Sequence, residues 1–226
     1  MTQLNTPYPA TPYLSGFLRQ EGYNVSQRDL AIDMFLSLLS KQGLENIFSC
    51  IEDNYADYSD DELPESIYNF LANFPAYLKC VEPTIKFLQG NNSSLALRIA
   101  SRTFLPEGPQ FESLYQMEEM SGDVLQDAFG QLGIQDKAKY LATLFIDDIS
   151  AVIKQGVDPN FEVSRYGEQL ASSNPSFDDL YFQLHQPAIY TDEVIVSLLE
   201  RYITQEKPTV IGITVPFPGN MFGALK

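Results

Sequence analysis

The chain has 226 residues, with 30 acidic against 14 basic side chains and a formal net charge of −16, so it lacks the basic footprint that nucleic acid or an anionic membrane surface requires. Its 44% hydrophobic and 19% charged content is that of a globular chain rather than a disordered one, and no run of about 18 apolar residues marks a membrane span. One histidine, two cysteines and no secretory h-region at the start leave little material for Ser-His-Asp, Cys-His or multi-His metal chemistry, and the expected location is the cytoplasm.

The opening stretch, MTQLNTPYPATPYLSGFLRQEGYNVSQRDLAID, begins with a proline-broken loop over Asn5–Pro12. Thr11 is placed to cap a helix with Pro12 at its first position, where a missing N–H costs nothing. Tyr13, Leu14, Phe17 and Leu18 form an apolar helical stripe, and Gly22 is suited to end the helix in a left-handed cap. A short strand over Tyr23–Leu30 is expected next, with Asp29 at its end.

Residues 31 to about 205 read as almost wholly helical. Gly43 is the expected break in AIDMFLSLLSKQGLENIFSCIEDN. Pro64, Pro75 and Pro83 mark helix starts or kinks, and the helix in DKAKYLATLFIDDISAVIKQGV should end at Gly156. Asp60, Asp61 and Glu62 suit the positive end of a helix dipole. Asp147 and Asp148 read as a partly solvated face, and DPNFEVSRYGE lacks the alternation of a calcium loop. Cys50 and Cys80 read as buried, inert thiols, and His185, in FQLHQPAIY, as a structural hydrogen-bonding group. No catalytic and no metal-binding residue is expected.

The end of the chain reads as a helix from Asp192 followed by a buried parallel strand, TVIGI at 209–213, and a turn-forming loop, Thr214–Asn220. A strand, a loop and one helical turn begin an α/β unit, so the expectation is a piece of a longer protein, cut at both ends. In a flavodoxin-like sheet the loops 5–12 and 214–220 would face each other at the switch point, beyond the carboxyl ends of their strands. Pro7, Pro9 and Pro216 fix the backbone there, and Gly219 permits close approach. Thr6, Thr11, Thr214 and Asn220 offer hydrogen bonds, and Tyr8, Tyr13 and Phe217 offer rings to a large flat ligand; Asp29 is a candidate partner for a ligand hydroxyl. The same loops also read as plain element terminators. No GxGxxG, Walker lysine or basic cluster favours a dinucleotide.

The stretches TQLNTPYPATPYLSGFLRQEGYNVSQRDLAID, YGEQLASSNPSFDDLYFQLHQP and LLERYITQEKPTVIGITVPFPGN together resemble the amino-terminal region of cobalamin-binding-domain radical SAM proteins, in a Bacteroidales-type subgroup. Pro9, Tyr13, Leu14, Leu18, Gly22 and Asp29 match the first part of that pattern; Gly212, Thr214, Val215, Pro216, Phe217 and Pro218 match the last. The resemblance implies an α/β, predominantly helical fold: an incomplete Rossmann-like, flavodoxin-like cobalamin-binding unit over 1–30 and 190–226, with an all-α insertion at 31–189. It implies cobalamin held by Thr6, Pro7, Tyr8, Pro9, Thr11, Tyr13, Asp29, Thr214, Val215, Pro216, Phe217, Gly219 and Asn220. It also implies a radical SAM domain in cis or in trans, whose [4Fe–4S] cluster and S-adenosylmethionine belong to the parent protein and not to this chain. No Cys-x3-Cys-x2-Cys is present, and two thiols cannot supply the three cluster ligands. No Asp-x-His-x-x-Gly offers a lower ligand to cobalt. Methyltransferase-like chemistry of the parent, without catalysis by this chain, is the implied function. A helical interaction or regulatory module without cofactor is the alternative.

Overall fold

The structure, a computed structural model, describes residues 9–121, 133–161, 163, 177–215 and 221–225. Its helices are α1 (Ala10–Gln20), α2 (Leu30–Leu38), α3 (Lys41–Asn54), α4 (Glu65–Ala72), α5 (Phe74–Leu88), α6 (Ala96–Ala100), α7 (Glu112–Ser121), α8 (Ile134–Gly156), α9 (Phe177–Leu184), α10 (Tyr190–Glu206) and α11 (Met221–Leu225). Short 3-10 turns occupy Asp60–Glu62, Ser93–Leu95 and Pro109–Phe111. The chain is predominantly helical, as expected. No β-sheet is present among the described residues, and a Rossmann-like unit needs one.

The two expected strands meet different fates. Residues 23–29 run without regular structure, and Asp29 turns the chain into α2: its Oδ1 accepts from the N–H groups of Ala31 and Ile32, both at 3.1 Å. An aspartate that satisfies two of a helix's unpaired amino-terminal donors ends an extended segment more firmly than a strand propensity prolongs it. Residues 207–215 also carry no ladder, because no described strand lies beside them.

The chain divides into two compact units: a central unit, Leu38–Phe161, and a terminal unit, Met1–Ser37 with Glu162–Lys226. α8 organises the central unit. Ala138, Leu141, Ala142, Phe145, Ile149, Val152 and Ile153 recur at helical spacing on its buried face, which packs against α3, α4, α5 and α6. A run of rings links neighbouring helices: Phe48 to Phe74 (4.2 Å between centroids), Phe74 to Phe70 (5.4 Å), Phe70 to Tyr77 (5.1 Å) and Tyr77 to Phe145 (5.4 Å, stacked). α8 ends at Gly156, as its sequence predicts. A Cβ there would lie 2.6 Å from Ile51 Cγ1 and 2.9 Å from Ile67 Cδ1, so the glycine lets α8 press on α3 and α4. The end is capped from a distance: Asn54 Nδ2 donates to the Gly156 carbonyl (2.9 Å) and Tyr55 OH to that of Gln155 (3.0 Å).

Local chemistry explains two shifted boundaries. The break between α2 and α3 falls at Ser40 and not at Gly43, because the Ser40 hydroxyl accepts from the Gly43 N–H (2.9 Å) as an N-cap. Helix α1 begins at Ala10 rather than after Thr11, with Tyr13 N–H bonded to the Pro9 carbonyl (3.2 Å) and Pro12 tolerated within the first turn.

In the terminal unit, Gly22 closes α1 with φ +84°; its N–H reaches Arg19 O and that of Tyr23 reaches Leu18 O, the paired bonds of a Schellman cap. Arg19 Nη2 then donates to Val25 O at 3.0 Å. α2 and α10 are tied by Tyr202 OH to Asp33 Oδ2 (2.7 Å) and by Arg28 to Glu206 (2.7 Å), with the Arg28 guanidinium 5.0 Å over the Tyr202 ring. The buried apolar residues of α10 are Val194 and Leu198 alone. Large apolar side chains stay exposed here, including Tyr13, Leu14 and Phe17 of the predicted apolar stripe of α1, whose fourth member, Leu18, is half-buried.

Candidate functional site

Six of the expected ligand-binding residues are described. Pro9 precedes α1, Thr11 sits half-buried in its first turn, and Tyr13 is 80% exposed. Thr214 and Val215 lie exposed at the end of the segment 207–215, which has no regular secondary structure. Asp29 spends one carboxylate oxygen on capping α2. No hydrogen bond or ring contact joins Thr11 or Tyr13 to Thr214 or Val215. Thr6, Pro7, Tyr8, Pro216, Phe217, Gly219 and Asn220 lie outside the described residues.

The most organised polar cluster is in the central unit, where the sequence does not announce it. Asp147 and Asp148 were expected together on a partly solvated face of α8. Asp148 is instead 1% exposed, while Asp147 is half-buried. The spacing explains why: Asp148 stands three residues after Phe145 and four before Val152, on the buried stripe itself. Its carboxylate accepts from the backbone N–H of Gly108 (2.9 Å, Oδ2) and of Gln110 (2.8 Å, Oδ1). It thereby caps, from another helix, the turn Pro109–Phe111 that leads into α7. A Cβ on Gly108 would lie 2.7 Å from the carboxylate carbon and both its oxygens, so only glycine lets the chain approach this closely.

Burial pushes Asp148 up to about 6 from the usual carboxylate range. The Gln110 and Gly108 N–H groups oppose that rise, and the charges of Asp147 and Glu107 add to it. The Tyr77 phenol is pushed up, first by burial and then by the Asp148 charge.

The same connection, residues 101–111, is pinned at several further points. Glu107 receives Arg102 through Nε (2.8 Å) and Nη2, and the Tyr115 hydroxyl donates to it as well. The Arg102 guanidinium lies 4.6 Å over the Tyr115 ring. Asn69 Nδ2 donates to the Glu107 carbonyl (3.2 Å) and Cys80 Sγ to that of Phe104 (2.9 Å). Side chains from α4, α5, α7 and α8 thus satisfy a loop that would otherwise bury unpaired backbone groups. Asp148, with both oxygens engaged and no exposure, is built to hold this loop rather than to meet a substrate.

Burial pushes the Cys80 thiol up, in keeping with an inert core cysteine; Cys50 is half-buried. His185 has its Nδ1 2.8 Å from the Tyr181 carbonyl oxygen and its ring against Tyr181 (4.2 Å). Glu62 caps its own turn, accepting from Ser59 N–H (3.0 Å) and Oγ (2.8 Å); the backbone bond, then the hydroxyl, holds its carboxyl low. Among the described residues no group of three His, Cys, Asp or Glu could hold a metal ion, and no helix is long and apolar enough to cross a membrane.

Comparison with protein-family models, with curated proteins and with solved structures returns no match.

Proposed function

We propose that this chain is the cobalamin-binding amino-terminal portion of a B12-dependent radical SAM enzyme, methyltransferase-like, and not catalytic on its own. The observation that carries this reading is the segment 209–215. It is exposed, rich in β-branched residues and without regular secondary structure, and the sequence that follows it, PFPGN, has the composition of a turn. A strand of an open α/β sheet delivers its ligand loop in this way. In this reading 1–30 and 190–226 contribute to a Rossmann-like unit, and the helices between are an insertion. Tyr8, Tyr13 and Phe217 pack on the corrin. Thr6, Thr11, Thr214 and Asn220 bond its polar periphery. Pro7, Pro9, Val215 and Pro216 shape the loops, Gly219 admits the ring edge, and Asp29, at the start of α2, bonds a ligand hydroxyl. The residues present offer no histidine to cobalt in an Asp-x-His-x-x-Gly setting, so cobalamin would be held by shape and backbone contacts. The cluster, S-adenosylmethionine and the radical step belong to a radical SAM domain, in cis or in trans, and the setting is cytoplasmic.

Hydroxocobalamin titrated into the full chain, followed by its visible spectrum and by calorimetry, tests the reading. Saturable one-to-one binding is expected, weakened about tenfold by Tyr13→Ala or Thr214→Ala, a loss of about 1.4 kcal/mol each. Tyr68→Ala, on the exposed surface of α4, should leave it unchanged. No saturable binding up to about 1 mM would reject it.

A second reading is a helical interaction or regulatory module without cofactor. It is favoured by the self-contained core of the central unit and by the lack of a sheet among the described residues. The same titration separates the two.

A further inference from the structure

Asp148 sits where a carboxylate is hard to keep ionised. It is buried, both of its oxygens are engaged by the N–H groups of Gly108 and Gln110, and among the described residues no cation pairs with it. The charges that reach it have its own sign: Asp147 from α8 itself and Glu107 from the connection 101–111. The Arg102 guanidinium is bonded to Glu107 instead, as is the Tyr115 hydroxyl of α7. The Tyr77 phenol reaches it from α5 and is a neutral group. A Cβ on Gly108 would meet the carboxylate at 2.7 Å, so backbone rather than water covers that side of the charge. A buried anion with like charges beside it and no counter-charge favours its protonated form.

What this carboxylate fastens is lightly anchored otherwise. Gly108 and Gln110 flank the start of the turn Pro109–Phe111, which leads straight into α7. Phe111 is fully buried, but of the α7 side chains that are described Leu114 alone is buried. The segment 108–114 therefore rests on two apolar side chains and the bonds to Asp148, whereas α8 buries apolar groups from Ala138 to Ile153. Segments with few buried apolar groups are the ones that open on their own, below the cost of global unfolding.

We infer that Asp148 is a proton-operated latch: with a proton on it the segment 108–114 is held closed against α8, and loss of the proton to solvent lets that segment open while α8 and the helices around it stay folded. Opening puts the carboxylate in water, where it ionises in the ordinary range, so proton release and opening drive one another. Closed, the group is pushed up to about 6 from 3.8. Closure is accordingly strongest below 3.8, weakens as pH rises from there to about 6, and changes no further above it. The inference does not depend on cobalamin.

The test is residue-resolved amide exchange of the full chain across a pH series, each rate divided by that of an unstructured peptide at the same pH. Openings that free the amides of Gly108, Gln110, Phe111 and Leu114 should be about 20-fold more frequent at pH 7 than at pH 4.5. At pH 7 these amides should exchange at least about tenfold faster than those of Leu141–Ile153, which marks the opening as local. Asp148→Asn has no proton to lose, so its opening should be the same at both pH values. A carbon-13 carboxyl titration of the wild type needs no variant: the rise in opening should level off at the pH where the Asp148 carboxyl titrates. Equal opening of 108–114 at pH 4.5 and pH 7 in the wild type would overturn the inference. So would exchange of 108–114 in step with α8 throughout, pH dependence that persists in Asp148→Asn, or a plateau displaced from the Asp148 titration.

Discussion

Asp148 is where a single residue decides the most. Ionised, its carboxylate holds Gly108 and Gln110 by their N–H groups, yet burial has raised it to about 6. A raised acid binds its proton more readily in the folded state than in the unfolded chain. Its contribution to stability is therefore fully present below the ordinary value of 3.8 and is lost as pH rises through about 6. The change is at most about 3 kcal/mol, at 1.36 kcal/mol per pH unit of displacement. Asp148→Asn is neutral at every pH and cannot take part in this titration, and it keeps an acceptor for one of the two N–H groups. Denaturant unfolding at pH 7 and pH 5 should show the wild type gaining stability relative to Asp148→Asn on acidification. Equal pH dependence of the two would contradict the assignment. The burial of Asp148 is written in the helical spacing of α8, and only its charge argues for a solvated face. What periodicity cannot supply is the partner: Gly108 lies 40 residues away, and the turn that needs the cap becomes visible only once folded.

Among the elements, α8 and the connection 101–111 carry the central unit. Gly156→Ala gains about 1 kcal/mol of helix propensity but places a methyl against Ile51 and Ile67, where overpacking costs about 1–3 kcal/mol. A net loss of stability in urea unfolding is expected, and a gain would mean that α3 and α4 yield. Arg102 occupies the left-handed position of a Schellman cap on α6, with φ +55°, its own N–H on Ile99 O and that of Thr103 on Arg98 O. Position 102 should accordingly prefer glycine to alanine once the Glu107 pair is gone: Arg102→Ala should be less stable than Arg102→Gly by about 1 kcal/mol in thermal unfolding. Equal stabilities would show the backbone relaxing there. Helix ends marked by glycine, at Gly22 and Gly156, are legible from sequence because the backbone requirement and the residue coincide. The Arg102 cap is not, since an arginine normally signals a helix interior. Ser40 outranks Gly43 as a break because a hydroxyl that accepts a donor fixes a helix start, whereas glycine inside a first turn only loosens it.

At the scale of the whole molecule the two units differ in how completely they bury their apolar residues. The central unit closes a core of isoleucines, leucines and rings around α8. The terminal unit leaves Tyr13, Phe17, Val210 and Ile213 in water, although the sequence assigns the first pair to an apolar helix face and the second to a buried strand. Local pattern reports which residues suit burial; whether they are buried depends on an element to pack against, and pattern is silent on that. Helix content was legible for the same reason, since helical hydrogen bonds are local. The two strands depended on distant partners, and one of them yielded to the Asp29 cap.

Amide hydrogen exchange on the purified full chain, resolved by residue at neutral pH, tests this division most directly. The described architecture predicts that amides of Leu141–Ile153 in α8 exchange only through global opening of the central unit, while those of 210–215 exchange within about tenfold of the rate of an unstructured peptide. Protection at 210–215 equal to that in α8 would contradict it, because the segment would then be paired and buried rather than exposed.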